Sequence, residues 1–197
     1  MAAIIDAAVI LAGGTAVRLG GVSKPDYTVA GRRLIEILLS EFAANAQVGR
    51  IVVVAPGSVD VPPGVVLTLE DPPLGGPLAG VAAGVAELSD LPDDALVALA
   101  TCDAPLAPRL LTEMVAALGS DSDGVVPVTA DDEGWAQYLH GLYTLGALRK
   151  VPRDRDRSIR SAFRGLSLTQ LVDEQDHCID VDTPADAARL EARLSAS

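Results

Sequence analysis

The sequence predicts an α/β fold: a single domain on a doubly wound, mostly parallel sheet. Three observations predict it. Short aliphatic runs alternate with helical patterns through the first two thirds of the chain. Those runs are apolar throughout rather than alternating, as expected of strands covered by helices on both faces. Hydrophobic residues make up 49% of the 197 positions and aromatic residues only 3%, so the core must be built from Ala, Val, Leu and Ile.

Residues 4–11 read as the first strand. Residues 33–46 carry helical apolar spacing. Residues 50–55, with Ile51-Val52-Val53-Val54, form a β-branched strand. Residues 65–69 form another after the turn Pro62-Pro63-Gly64. Residues 77–88 open with Pro and are Ala-rich, which predicts a helix with Pro in its first turn. Residues 95–101 form a fourth, fully apolar strand, and 107–118 a helix. The alternation then loosens. Residues 124–128, 139–143 and 168–172 read as strands, with a polar loop between the first two, and 157–164 and 184–194 as helices. No internal repeat or linker interrupts the chain, so 1–197 is read as one domain. The regular alternation spans 1–118 and the looser pattern 119–197.

The formal net charge of −12 argues against nucleic acid or an anionic membrane as partner. Basic residues nevertheless cluster locally at Arg18, Lys24, Arg32 and Arg33, which leaves room for an anionic substrate. Cys102 and Cys178 belong to no C-x-x-C pair, so neither a disulfide framework nor a zinc site is expected, and a reducing cytoplasm fits. The apolar start is interrupted by Asp6 and lacks a basic leader, so it reads as a strand rather than a signal peptide.

The most informative segment is Leu11-Ala12-Gly13-Gly14-Thr15-Ala16-Val17-Arg18-Leu19-Gly20-Gly21-Val22-Ser23-Lys24. It follows the first strand directly. In an open parallel sheet the carboxyl ends of the strands are where ligands bind. Glycines let the backbone approach a ligand closely, and their N–H groups can face phosphate oxygens. Lys24 is one of only two lysines in the chain, the other being Lys150. Five residues separate Gly14 from Gly20 and no Lys follows Gly20, which excludes the P-loop pattern; G-x-G-x-x-G is absent too.

Other residues carry potential chemistry. Asp103 follows the fourth strand in Thr101-Cys102-Asp103-Ala104-Pro105-Leu106, where a carboxylate could hold Mg²⁺ or cap the next helix. In Asp180-Val181-Asp182-Thr183-Pro184, Asp182 is read equally well as a metal ligand or as part of a helix cap. Glu70-Asp71 precedes Pro72-Pro73-Leu74-Gly75-Gly76-Pro77. A carboxylate there could accept two hydrogen bonds from the N1–H and N2–H₂ edge of guanine, with Asp71 as reader; a Pro/Gly turn is the plain alternative. Arg157 and Arg160 share a face of a predicted helix and could meet a phosphate. His140 reads as a satisfied structural histidine.

The opening motif resembles the signature L-A-G-G-x-x-x-R-x-G-x-x-x-K of nucleotidyltransferases that activate sugars, alcohols and pterins. With Asp71, Gly76-Pro77-Leu78-Ala79-Gly80, Asp103-Ala104-Pro105-Leu106, Gly141-Leu142-Tyr143, Arg157-Ser158-Ile159-Arg160 and Asp182-Thr183-Pro184, the chain resembles the molybdenum cofactor guanylyltransferases along nearly its whole length. The resemblance implies a Rossmann-like nucleotidyltransferase fold and transfer of GMP from GTP to the terminal phosphate of molybdopterin, releasing pyrophosphate. It implies Leu11, Ala12, Gly13, Gly14, Lys24, Asp71, Gly76 and Asp103 at the nucleotide, and Arg18, Lys24 and Asp103 in catalysis. Mg²⁺ falls to Asp103 and Asp182, and the acceptor to Gln137, Arg157 and Arg160. The resemblance further implies a nucleotide-binding part at 1–118, an acceptor-binding part at 119–197, and molybdoenzyme chaperones or cofactor-insertion proteins as partners. A cytidylyltransferase, or a sugar- or alcohol-phosphate nucleotidyltransferase, is the near alternative, since Asp180 and Asp182 also suit the relatives that use CTP. A non-catalytic nucleotide-binding adaptor is the alternative of another class.

Overall fold

A computed structural model describes residues 3–13, 15–16, 22–71, 75–131, 133–153 and 157–196. Among these the main sheet has seven strands: β1 (Ala3–Leu11), β2 (Ala46–Val54), β3 (Val66–Thr68), β4 (Leu96–Thr101), β5 (Gly124–Thr129), β6 (Leu142–Thr144) and β7 (Leu168–Asp173). Their order across the sheet is β7-β5-β6-β4-β1-β2-β3. All neighbours pair parallel except β6, which is antiparallel to both β4 and β5. The single doubly wound domain predicted from the sequence is thus the one observed.

The order reverses direction at β1, whose neighbours are β2 on one side and β4 on the other. Leu11 pairs with Val54 across one edge and with Thr101 across the other, so three carboxyl ends lie level there. Such a switch point opens the crevice that ligands use in sheets of this kind.

Side chains of β1 alternate between two cores. Ala8 and Ile10 pack with Ile35, Leu38 and Phe42 of helix α1 (Leu34–Asn45) and with Leu111 and Met114 of α3 (Leu111–Ala117). Ala7 and Val9 face Leu78, Val81 and Val85 of α2 (Pro77–Ala86) and Leu145 and Leu148 of α4 (Leu145–Lys150). Both faces of β1 are therefore covered, which is why Ala7 through Ile10 are fully buried. Helix α1 begins where the Glu36 carboxylate accepts the Arg33 backbone N–H at 3.1 Å.

Four differences from the sequence reading have local causes. β2 begins at Ala46 rather than at residue 50, because Ala46, Gln47 and Val48 already pair with the start of β1. Residues 107–110 form a 3₁₀ turn before α3. The stretch 139–143 is not one strand: Tyr138–His140 is a 3₁₀ turn, and only Leu142–Thr144 pairs. Helix α5 (Ile159–Phe163) starts after the Ser158 cap, which leaves Arg157 outside it, so Arg157 and Arg160 do not share a helix face. The last helix, α6 (Pro184–Ser195), lies where the sequence places it.

Candidate functional site

Beyond β1 the chain returns on itself. Thr15–Ala16 pairs antiparallel with Val22–Ser23, and Lys24-Pro25-Asp26 forms a 3₁₀ turn with Pro25 buried. This turn carries Lys24 to the switch point. Its Nζ donates to Oδ2 of Asp103 and to Oδ1 of Asp182, each at 2.6 Å. Asp103 follows β4 by two residues, and its other carboxylate oxygen accepts from the Thr101 hydroxyl. The Val181 N–H donates to the Asp103 carbonyl at 2.8 Å, which fixes the C-terminal segment against the end of β4. One ammonium and two carboxylates from three distant parts of the chain thus share one point.

The electrostatics follow from that contact. Burial alone would lower the Lys24 pKa, but hydrogen bonds to Asp103 and Asp182 outweigh it and hold the ammonium well above its ordinary range. Burial would raise Asp103; the hydrogen bonds from Lys24 and Thr101 reverse this and keep it a carboxylate. Asp180 behaves oppositely. Although the residue keeps an exposed edge, desolvation by the surrounding protein and the negative charge of Asp103 push it up to about 6, against the pull of Lys24.

Asp182 is not the cap of α6. Thr183 holds that place: its side chain accepts the Asp186 N–H, and the Asp186 carboxylate accepts the Thr183 N–H at 2.8 Å. The Asp182 carboxylate is therefore free of the cap and faces Lys24. Two hard oxygen donors converge on a single cationic nitrogen, a donor set that fits a hard divalent cation. Among the described residues no group of three or more His, Cys, Asp or Glu forms a complete metal cage. Mg²⁺ asks for less, since it takes one or two carboxylates and completes its shell with phosphate oxygens and water.

Two cavities meet at Asp103; Lys24 lines the first, and Asp182 lines neither. The first, about 400 Å³, is lined by Leu11, Gly13, Lys24, Glu70, Gly76 and Asp103 among others. Gly76 adopts φ +88° just before α2, a conformation that favours glycine. Leu11 is half-buried on the cavity wall. Ala12 is buried, and its N–H is spent on the Val54 carbonyl at 2.9 Å. Glu70 is buried on the cavity wall, whereas Asp71 is exposed and is not among the lining residues. Gly14 and Arg18 lie outside the described residues.

The second cavity, about 540 Å³, shares Thr101 and Asp103 with the first and adds Trp135, Gln137, His140, Arg160 and Asp180. Of the three residues assigned to an acceptor, Gln137 and Arg160 line it and the exposed Arg157 does not. His140 is not the satisfied histidine expected from the sequence. It is buried, and its Nδ1 is the one buried side-chain nitrogen or oxygen among the described residues without a hydrogen-bond partner. Burial pushes it down to about 4, against the pull of the Asp103 and Asp173 charges, so it is neutral near pH 7. Trp135 has no counterpart in the sequence reading. Its one signal is a lone Trp in an otherwise polar loop between two strands.

The family described as the MobA-like NTP transferase domain matches residues 8–174. The molybdenum cofactor guanylyltransferase of Acidiphilium cryptum is 31% identical over 199 residues, covering 94% of this chain and 93% of its own. Among solved structures, molybdopterin-guanine dinucleotide biosynthesis protein A from Archaeoglobus fulgidus superposes with a TM-score of 0.67 at 18% identity, covering 98% of this chain and all of its own. The 2-C-methyl-D-erythritol 4-phosphate cytidylyltransferase of Thermus thermophilus superposes with a TM-score of 0.69 at 21% identity, covering 99% and 100%. These two share the fold. The chain belongs to the MobA-like NTP transferase family and is a nucleotidyltransferase.

Proposed function

We propose that the protein transfers GMP from GTP to the terminal phosphate of molybdopterin, releasing pyrophosphate. The observation that carries the reading is the Lys24–Asp103–Asp182 centre, whose Asp103 lines two adjoining cavities. Residues 1–118 hold the nucleotide in the first cavity. Residues 119–197 hold the acceptor in the second, and also supply Asp182 to the centre. The guanylyltransferase relative supports this choice of substrates over others in the family.

A phosphate monoester oxygen of the acceptor attacks the α-phosphorus in line. A new P–O bond forms as the bond to the β-phosphate oxygen breaks, and its electron pair leaves with pyrophosphate. The attacking oxygen is already anionic, so no general base is required, and His140 is not asked to be one. Orientation and charge neutralisation carry the rate. Asp103 and Asp182 would hold Mg²⁺. When bound, that ion polarises the α-phosphate as a Lewis acid. Lys24, with Arg18 and the backbone N–H groups of residues 13–15, neutralises the leaving pyrophosphate. Gly13, Gly14 and Gly76 let the chain approach the nucleotide closely, while Leu11 and Ala12 shape the wall beside it. The acidic pair Glu70–Asp71 supplies the carboxylate that reads the guanine edge. Gln137 and Arg160 bind the acceptor together with Arg157.

We place this reaction in the cytoplasm. No helix among the described residues is long and apolar enough to cross a membrane. The product's delivery to molybdoenzymes makes their chaperones the partners of choice.

Calorimetric titration with GTP and with CTP, each with Mg²⁺, tests the reading. Selective GTP binding supports it. Selective CTP binding moves the protein to cytidylyl transfer. Nucleotide binding with no pyrophosphate release on adding molybdopterin makes it an adaptor.

A further inference from the structure

The second cavity contains one feature that nucleotidyl transfer itself does not use. Trp135, the only tryptophan in the chain, is half exposed on its wall. Isolated exposed apolar side chains are ordinary. This one differs because its backbone and one edge and one face of its ring are anchored. The Trp135 N–H donates to Thr129 Oγ1 at 2.9 Å, and its carbonyl accepts the Thr129 N–H at 3.1 Å. Its indole N–H donates to the Glu133 carboxylate. The Arg160 guanidinium lies over the ring, 5.8 Å from the centroid. An indole fixed by its neighbours loses little rotamer entropy when a ligand packs against it, which makes it an efficient contact surface.

Tyr138, Leu139 and Ile159 add apolar surface to the lining, and Gln137, Arg160 and Gln170 add polar groups. A flat apolar ring beside amide and charged groups matches a flat heterocycle with hydrogen-bonding edges better than a flexible polyol. A cavity of about 540 Å³ has room for such a ring and a phosphate monoester, within the range of small-molecule sites.

We infer that Trp135, backed by Arg160, packs against a planar aromatic heterocycle in the phosphorylated acceptor and selects it over aliphatic phosphates. This deepens the reading of the second cavity as the acceptor site and rests on that reading.

The experiment uses the full chain and two stable phosphomonoesters: neopterin monophosphate, which carries a heterocycle, and glycerol 3-phosphate, which does not. Binding of each is measured by calorimetry for the wild type, Trp135→Phe and Trp135→Ala, and followed through the fluorescence of the single tryptophan where it is present. Neopterin monophosphate is expected to perturb that emission saturably. Trp135→Ala is expected to bind it about 10-fold more weakly, the order found for removing an aromatic stacking partner, and Trp135→Phe to recover most of the loss. Affinity for glycerol 3-phosphate should change little. Absence of neopterin monophosphate binding in the wild type, equal affinity in Trp135→Ala, or equal loss of both phosphates overturns the inference. GTP affinity and Tm, measured on the same variants, show that the fold persists. A wild type that prefers CTP, or binds no nucleotide, but still discriminates the two phosphates through Trp135 refutes the guanylyl assignment and leaves this inference standing.

Discussion

Lys24 Nζ lies 2.6 Å from Asp103 Oδ2, although 79 positions separate the two residues. The loop after β1 and the loop after β4 are thereby joined at the switch point of the sheet. Both side chains are largely enclosed, with 14% and 19% of their surface exposed, so neither charge is dissipated by solvent. Lys24→Ala and Asp103→Ala are each expected to reduce turnover by about 10²-fold or more, the usual loss when a preorganised electrostatic group is removed. Steady-state pyrophosphate release measures it; near-normal turnover in either variant removes that residue from catalysis.

Asp182 and its neighbour Thr183 divide two jobs between adjacent positions. Thr183→Ala removes the cap of α6 and should cost about 1 kcal/mol of stability. Asp182→Asn leaves the cap intact, and its effect should appear as a raised Mg²⁺ requirement. Urea denaturation and a Mg²⁺ titration of turnover, run on both variants, separate the roles. A large stability loss in Asp182→Asn with an unchanged Mg²⁺ requirement contradicts the division.

The acidic pair at the end of the strand-three region poses a choice between neighbours. Glu70 lines the first cavity and Asp71 is exposed beside it. If this pair reads guanine, Asp71→Asn or Glu70→Gln should narrow the preference for GTP over CTP, chiefly by weakening GTP. Competition calorimetry of the two variants shows which carboxylate acts, and unchanged preference in both excludes the pair.

Acid stability should depend on Asp173, at the end of β7. Burial alone would raise its pKa, but the His177 side chain and the N–H groups of His177 and Cys178 hold the carboxylate down to about 2. A carboxyl depressed below its unfolded value near 4 stabilises the fold above pH 4. That contribution, about 2 kcal/mol, is lost as the pH falls from about 4 to 2. Asp173→Asn should be less stable at pH 7 and show a flatter stability profile across that window in denaturant titrations. A profile as steep as the wild type's excludes the role.

Helix α2 packs so closely on the sheet that Gly84 has no room for a side chain. A Cβ there would strike Val9 Cγ1 and approach Val54 Cγ2 to 3.3 Å. Gly84→Ala gains helix propensity but should still lose about 1–3 kcal/mol through overpacking. Urea denaturation measures the sign.

How much of this was legible follows from what each feature depends on. β1, β4 and Asp103 are readable because a continuous apolar run ends and a carboxylate follows it. The Lys24–Asp182 contact spans 158 positions and is set by tertiary folding, so local spacing carries no trace of it. The same holds for the choice between metal ligand and cap at Asp182, which turns on a side-chain direction. Helix α4 has six residues, too few for a helical period to register, and only its Thr144 cap and terminal Arg149-Lys150 announce it. His140 is visible as a residue, but the lack of a partner at Nδ1 depends on everything packed around it.

The most direct test of the catalytic centre is molybdopterin-dependent release of pyrophosphate from GTP, compared with CTP, for the wild type and Asp103→Asn. Release from GTP in preference to CTP, falling about 10²-fold in the variant, is the expected result. Equal release by wild type and variant, or no release from either nucleotide, contradicts guanylyl transfer at Lys24, Asp103 and Asp182.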